Sequence, residues 1–192
     1  MILEPCCFHK QLSEIINGKN TTEHLFTFGD TDLQMLMDCL VSYAPECDVY
    51  LALVKVEPDT LYSITKLMEA KVKGTDRHLV KSFVLLSQGD VKHRKAIYEA
   101  LEKYRQEGRL IICEHETAFR CLCVGNDTRH FILQGSIPQT KNFAMQMFTL
   151  TTDKDNYEKV MRILNYREKC VSYKRSKVVM KMISNERSNV AK

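Results

Sequence analysis

The chain has 192 residues, is 44% hydrophobic and carries a net charge of +4, which suits one ordinary domain burying roughly 70% of the surface its unfolded chain exposes. A fold of that size needs no metal or disulfide staple, and no segment approaches the roughly 18 uninterrupted apolar residues of a membrane span. Glu4 and His9-Lys10 break the N-terminus early, so no export signal is read there either.

Residues 1–20 read as irregular or weakly helical, ending at the Asn17-Gly18 turn signal. Cys6-Cys7-x-His9 holds two thiols and an imidazole, but no second Cys/His pair follows at zinc-knuckle spacing, and an apolar anchor is the simpler reading. Leu25–Phe28 reads as a short strand stopped by Gly29. Asp30 or Thr31 then caps a helix to Tyr43 with Leu33, Leu36, Met37, Leu40 and Val41 on one face and Pro45 beyond its end.

Val49–Val56 is almost continuously apolar, the pattern of a strand buried on both faces. A helix follows from about Pro58 to Lys73 with Gly74 as its stop. Ser82–Ser87 is a second buried strand, and Val91–Glu107 an amphipathic helix with Ile97, Leu101 and Tyr104 in register and Gly108 after it. This β-α-β-α-β rhythm predicts parallel strands joined by crossovers.

After Gly108 the rhythm changes. Leu110–Cys113, Phe119–Val124, Phe131–Leu133 and Met147–Leu150 are strand candidates with short connections, so the sheet should gain antiparallel members. Gly125-Asn126-Asp127-Thr128 predicts a hairpin that makes Phe119–Val124 and Arg129–Ser136 neighbours. Thr151-Thr152-Asp153 caps a closing helix with Tyr157, Val160, Met161 and Leu164 on its inner face.

Of eight cysteines, Cys39, Cys113, Cys121 and Cys123 fall inside apolar periodic segments, where Cys acts as a small hydrophobe. Reduced thiols in a cytoplasm are the expectation. From Arg162 to Lys192 nine Lys and Arg face Glu168 and Glu186, a local net of +7 that leaves −3 for the rest. A mildly acidic body with a basic end suits a polyanionic partner, while a solvated helix face is the plainer alternative. Within that end Lys174, Arg175, Lys177 and Lys181 interleave with Val178-Val179-Met180 and Met182-Ile183, as in a basic amphipathic element able to lie along nucleic acid or dock a partner chain.

The segment Gly135-Ser136-Ile137-Pro138-Gln139-Thr140-Lys141-Asn142, with the strands before it and Phe28-Gly29-Asp30 far upstream, resembles the phospholipase D-like phosphodiesterases, in particular their small single-motif bacterial and phage-associated members. The resemblance spans about residues 25–164. It implies an α/β domain with a mixed, mostly parallel sheet flanked by helices on both faces. The expected organisation is an N-terminal segment 1–24, a phospholipase D-like domain 25–168 and a basic tail 169–192.

Family members carry His-x-Lys on one strand, Gly-Ser at the end of the next, an Asn two residues after the Ser, and often Lys-Asn and a Glu beyond. The His attacks phosphorus, Lys and Asn hold the non-bridging oxygens, and a second chain supplies the acid across a two-fold. Here Ala118 stands at the nucleophile position, Arg120 at the Lys, Pro138 at the Asn and Gln146 at the Glu, whereas Ser136, Lys141 and Asn142 match.

The resemblance thus implies a degenerate catalytic set without cofactor or metal. Its expected role is nucleic-acid binding or assembly, as a homodimer or larger assembly, away from membranes, in a bacterial cytoplasm or a phage or mobile-element setting. Arg120, Lys141 and Asn142 could still cradle a phosphate, since Arg grips it through a bidentate fork; Arg120 paired to Glu116 or Asp127 is the plain alternative. Two other readings stay open. His115, three residues before Ala118, would serve an active metal-independent nuclease only if a bulge turned it to the same face; or the fold serves solely to pack against other proteins.

Overall fold

The computed structural model describes residues 2–3, 12–17, 21–28, 31–87, 91–114, 120–137 and 145–165. The elements are β1 (Ile2–Leu3), α1 (12–17), β2 (Thr22–Phe28), α2 (Leu33–Tyr43), β3 (Cys47–Leu53), α3 (Pro58–Glu69), β4 (Val80–Ser87), α4 (Val91–Gln106), β5 (Leu110–Glu114), β6 (Cys121–Gly125), β7 (His130–Gly135), β8 (Met145–Thr151) and α5 (154–165). The chain divides into two compact units, residues 1–157 and 158–192. The described part of the second is the remainder of α5, where Leu164 is buried and Ile163 exposed.

Local chemistry sets the helix ends. Asp32, rather than Asp30 or Thr31, starts α2 by accepting a 2.8 Å hydrogen bond from the Met35 amide; its side chain satisfies a donor that the first turn leaves orphaned. Leu33, Leu36, Met37 and Leu40 are fully buried, each stabilising the fold by about 1.5–3 kcal/mol. The helix predicted to Lys73 stops at Glu69. Arg109 Nη2 donates 2.9 Å bonds to the carbonyls of both Met68 and Val80, satisfying a last-turn carbonyl, and the chain then enters a hairpin bridged between Lys71 and His78. Gly74, at φ +77°, serves that hairpin and not the helix. Gly108, at φ +70°, does follow α4 as expected.

The strands form one sheet in the order β1-β2-β8-β7-β6-β3-β4-β5. Pairing is parallel for β1–β2, β3–β4 and β4–β5 and antiparallel for β2–β8, β8–β7, β7–β6 and β6–β3. The β3-α3-β4 part of the expected parallel run forms as read from the sequence, and β5, read among the later strands expected to bring antiparallel members, instead joins β4 in parallel; the sheet is mixed with mostly antiparallel junctions instead of mostly parallel. The reason is β2, which pairs along all seven residues with β8 instead of joining the parallel set.

Side-chain alternation separates two faces. Val49, Leu51, Leu53, Phe83, Leu85, Leu122, Val124, Phe131, Leu133, Phe148 and Leu150 share one core with α2, α3 and α4 and with Leu12 and Ile16 of α1. Helices α1 to α4 thus form a layer on one face. On the other, Tyr157 in the first turn of α5 lies against Gly125 and the His130 ring.

Candidate functional site

The C-terminal ends of β2, β3, β4, β5 and β7 and the N-terminal ends of β6 and β8 lie along one edge of the sheet, as the registers require. The chain runs β3 to β4 to β5 on one side of β3 and then returns as β6 on its other side. Such a reversal opens a crevice outside the carboxyl end of the central strand, the usual ligand position in open α/β sheets.

Arg120 immediately precedes β6 at this edge and is exposed. Cys121, the first residue of β6, pairs with Gln134 of β7 and with Ala52 of β3, so Arg120 precedes β6 beside the C-terminal ends of those two strands. Alternation puts Arg120 on the face that Leu122 and Val124 share with the helical layer. Asp127, a partner weighed for it, sits beyond the opposite end of β6 and cannot pair with it.

Beside it, Gly135 has φ +125°, and a Cβ there would run into the Met147 carbonyl of β8; only glycine permits that approach. The Ser136 amide donates to the same carbonyl at 3.2 Å, and the Ile137 amide turns back onto the Gly135 carbonyl at 2.8 Å. Ile137 is buried in the core, which leaves Ser136 exposed at the strand mouth. The Gly-Ser pair is thus a clamped strand end that presents a hydroxyl at the edge where Arg120 precedes β6.

Two further polar residues at this edge were not singled out in the sequence. Ser87 ends β4, is buried, and pairs in register with Leu53. Lys55, two residues past β3, is about half exposed and contacts Glu57 at 3.1 Å; its sequence signal was being the first charge after the Val49–Val54 run. Gln146, at the family's Glu position, is buried on the core face in register with Thr27. His115, Lys141 and Asn142, like Lys174, Arg175, Lys177 and Lys181, lie outside the described residues, as do Cys6, Cys7, His9, Ala118 and Pro138.

The cysteines behave as small hydrophobes. Cys39, Cys47, Cys113, Cys121 and Cys123 are buried thiols outside any disulfide. Burial pushes the Cys39 thiol up from 9.0 to about 11 and Cys47 to about 12. Cys123, its sulfur 4.0 Å from that of Cys121, is held protonated by that hydrogen bond and by burial. Thiols raised this way are poor nucleophiles and poor metal ligands, and the described residues contain no cluster of three or more His, Cys, Asp or Glu able to hold a metal ion.

No family model matches the chain, and no curated protein matches it. Among solved structures, phosphatidylserine synthase from Haemophilus influenzae Rd KW20 is similar at a TM-score of 0.51 with 13% identity, over 77% of this chain and 38% of the synthase. TrmBL2, an archaeal chromatin protein described with a novel mode of DNA binding, gives a TM-score of 0.49 with 14% identity, over 82% of this chain and 55% of its own. The chain spans well under two thirds of either neighbour, and the likeness to the synthase is one of fold alone. No described helix is long and apolar enough to cross a membrane.

Proposed function

We propose that this chain is a phospholipase D-like domain whose catalytic set has decayed, and that the β6–β7 strand mouth binds the phosphates of a nucleic acid without cutting it. The observation that carries the reading is the pairing of Cys121 with Gln134, which brings exposed Arg120, the residue before β6, to the end of β7 where the exposed Ser136 hydroxyl lies. A guanidinium and a hydroxyl at the open end of neighbouring strands form an anion grip. The fold likeness to a phosphatidylserine synthase of the phospholipase D superfamily supports the ancestry.

Ala118 at the nucleophile position and Pro138 at the amide position remove the attacking imidazole and one oxygen-holding group. Lys141 and Asn142 follow the strand mouth in sequence and complete the phosphate cradle in this reading, and the basic residues Lys174, Arg175, Lys177 and Lys181 add sequence-independent attraction. A site without a nucleophile no longer needs a second chain to supply an acid, so any pairing of chains must have another basis. The setting we propose is a bacterial or phage nucleic-acid assembly.

The test is incubation of the full chain with single- and double-stranded DNA and RNA in EDTA. Retention of intact nucleic acid is expected. Cleavage that persists in EDTA and disappears in His115→Ala would show an active nuclease and overturn the proposal.

A further inference from the structure

β3 and β6 are adjacent and antiparallel, with Ala52 paired to Cys121. Arg120 precedes Cys121 and Lys55 follows Ala52 by three residues, so both leave the paired block at the same end. Three residues of chain span at most about 11 Å, which keeps Lys55 at the mouth of the central strand. Among the described residues that directly precede or follow the strands at this edge, Lys55 and Arg120 are the cations.

The connection from β3 to α3 turns Lys55 outward. Val56 is 5% exposed and belongs to the core shared with α1 to α4. Its neighbours on either side stay at the surface, where Lys55 Nζ meets a Glu57 carboxylate oxygen at 3.1 Å, the two side chains 51% and 36% exposed. Glu57 is also the N-cap residue of α3, yet its side chain makes no capping hydrogen bond. A carboxylate at a helix start ordinarily serves an orphaned amide there; this one serves the ammonium of Lys55. An ion pair so exposed is weak in water, and a phosphate can take the ammonium from it at small cost.

We infer that Lys55 is the second cation of the phosphate grip and that Glu57 is the counter-ion a bound phosphate displaces. The inference rests on the strand-mouth reading, since it needs a polyanion there. Arg120 offers a planar fork and Lys55 a point charge on a flexible stem. At the ends of neighbouring strands the two suit the backbone of a nucleic acid and need no contact with a base. Glu57 then acts as a filter. A lone anion gains little by exchanging with a carboxylate already in place, whereas a chain of phosphates that also reaches Arg120 gains two linked contacts.

The test is anisotropy of a labelled single-stranded oligonucleotide with the full chain in EDTA. Lys55→Ala should weaken binding several-fold and make the slope of log affinity against log salt shallower by about one. Lys55→Arg should restore most of the affinity. Glu57→Gln should tighten binding about two- to fivefold, a gain that disappears when Lys55→Ala is added. Unchanged circular dichroism and urea midpoints check that each variant is folded. If Arg120→Ala weakens binding while Lys55→Ala keeps the native affinity and slope, the inference is overturned and the strand-mouth reading stands. A Glu57→Gln gain that persists beside Lys55→Ala also overturns it, since the carboxylate then acts by general repulsion. Native affinity in Arg120→Ala overturns the strand-mouth reading itself.

Discussion

The two ends of the β6–β7 hairpin are made from similar sequence material, a glycine followed by a small polar residue, yet they do opposite things. At the turn end the Asn126 side-chain carbonyl accepts from the Thr128 amide, the Thr128 hydroxyl and the Arg129 amide, and its amide group donates to the Pro45 carbonyl at 3.0 Å. Nearby, the Ser82 hydroxyl donates to Asp48 at 2.6 Å. Polar groups there are consumed by the fold. At the open end Gly135 clamps the backbone onto Met147, but Arg120 and Ser136 stay exposed. Side chains that the fold does not use are the ones available to a ligand.

The sharpest way to break this contrast is at the glycines. Gly135→Ala places a Cβ into the Met147 carbonyl at a φ that L-residues avoid, and a loss of about 3 kcal/mol or failure to fold is expected in denaturant unfolding. Gly125→Ala meets only the Tyr157 ring and hydroxyl, which can move with the first turn of α5. It should cost about 1–2 kcal/mol.

Removing the turn-end hydrogen bonds with Asn126→Ala should cost about 1–1.5 kcal/mol. Arg120→Ala, at the open end, should leave stability within about 0.5 kcal/mol. If Arg120→Ala unfolds the protein as readily as Asn126→Ala, the two ends are not different in kind.

A pH series sharpens the fold side of the comparison. The Tyr104 hydroxyl donates to Glu69 at 3.0 Å, and burial together with that carboxylate pushes it up to about 12. Cys39 and Cys47 are raised likewise. A group whose folded value lies above its unfolded one holds its proton more tightly in the native state, so its contribution is complete below the unfolded value and is lost as pH rises through the folded one. Urea midpoints for these groups should be flat below about pH 8.5 and fall steadily toward pH 12. Tyr104→Phe and Cys47→Ala should each flatten that fall.

Much of this was legible in the chain because it rests on local signals. The 3.6-residue spacing in Leu33–Val41 and the alternation of apolar strands with helices from Val49 to Glu107 are short-range, and the β3-α3-β4 unit follows from them. The Gly125–Thr128 turn likewise foretold that the strands on either side of it, β6 and β7, would be neighbours.

What could not be read depends on distant partners. β2 was expected among parallel strands, but its place is set by β8, more than a hundred residues away, through pairs such as His24 Nδ1 with Thr149 Oγ1 at 3.0 Å. The early end of α3 depends on Arg109, 41 residues beyond Met68. Lys55 joins the candidate edge only because β6 returns beside β3, a crossover that no local pattern announces.

The most direct test of the strand-mouth reading is fluorescence anisotropy of a labelled oligonucleotide with the full chain, in EDTA, across a salt series, comparing the native protein with Arg120→Ala. The expected result is binding without cleavage, weakened several-fold by Arg120→Ala, with the slope of log affinity against log salt shallower by about one. Equal affinity and equal slope for the two proteins, at equal stability, would contradict it.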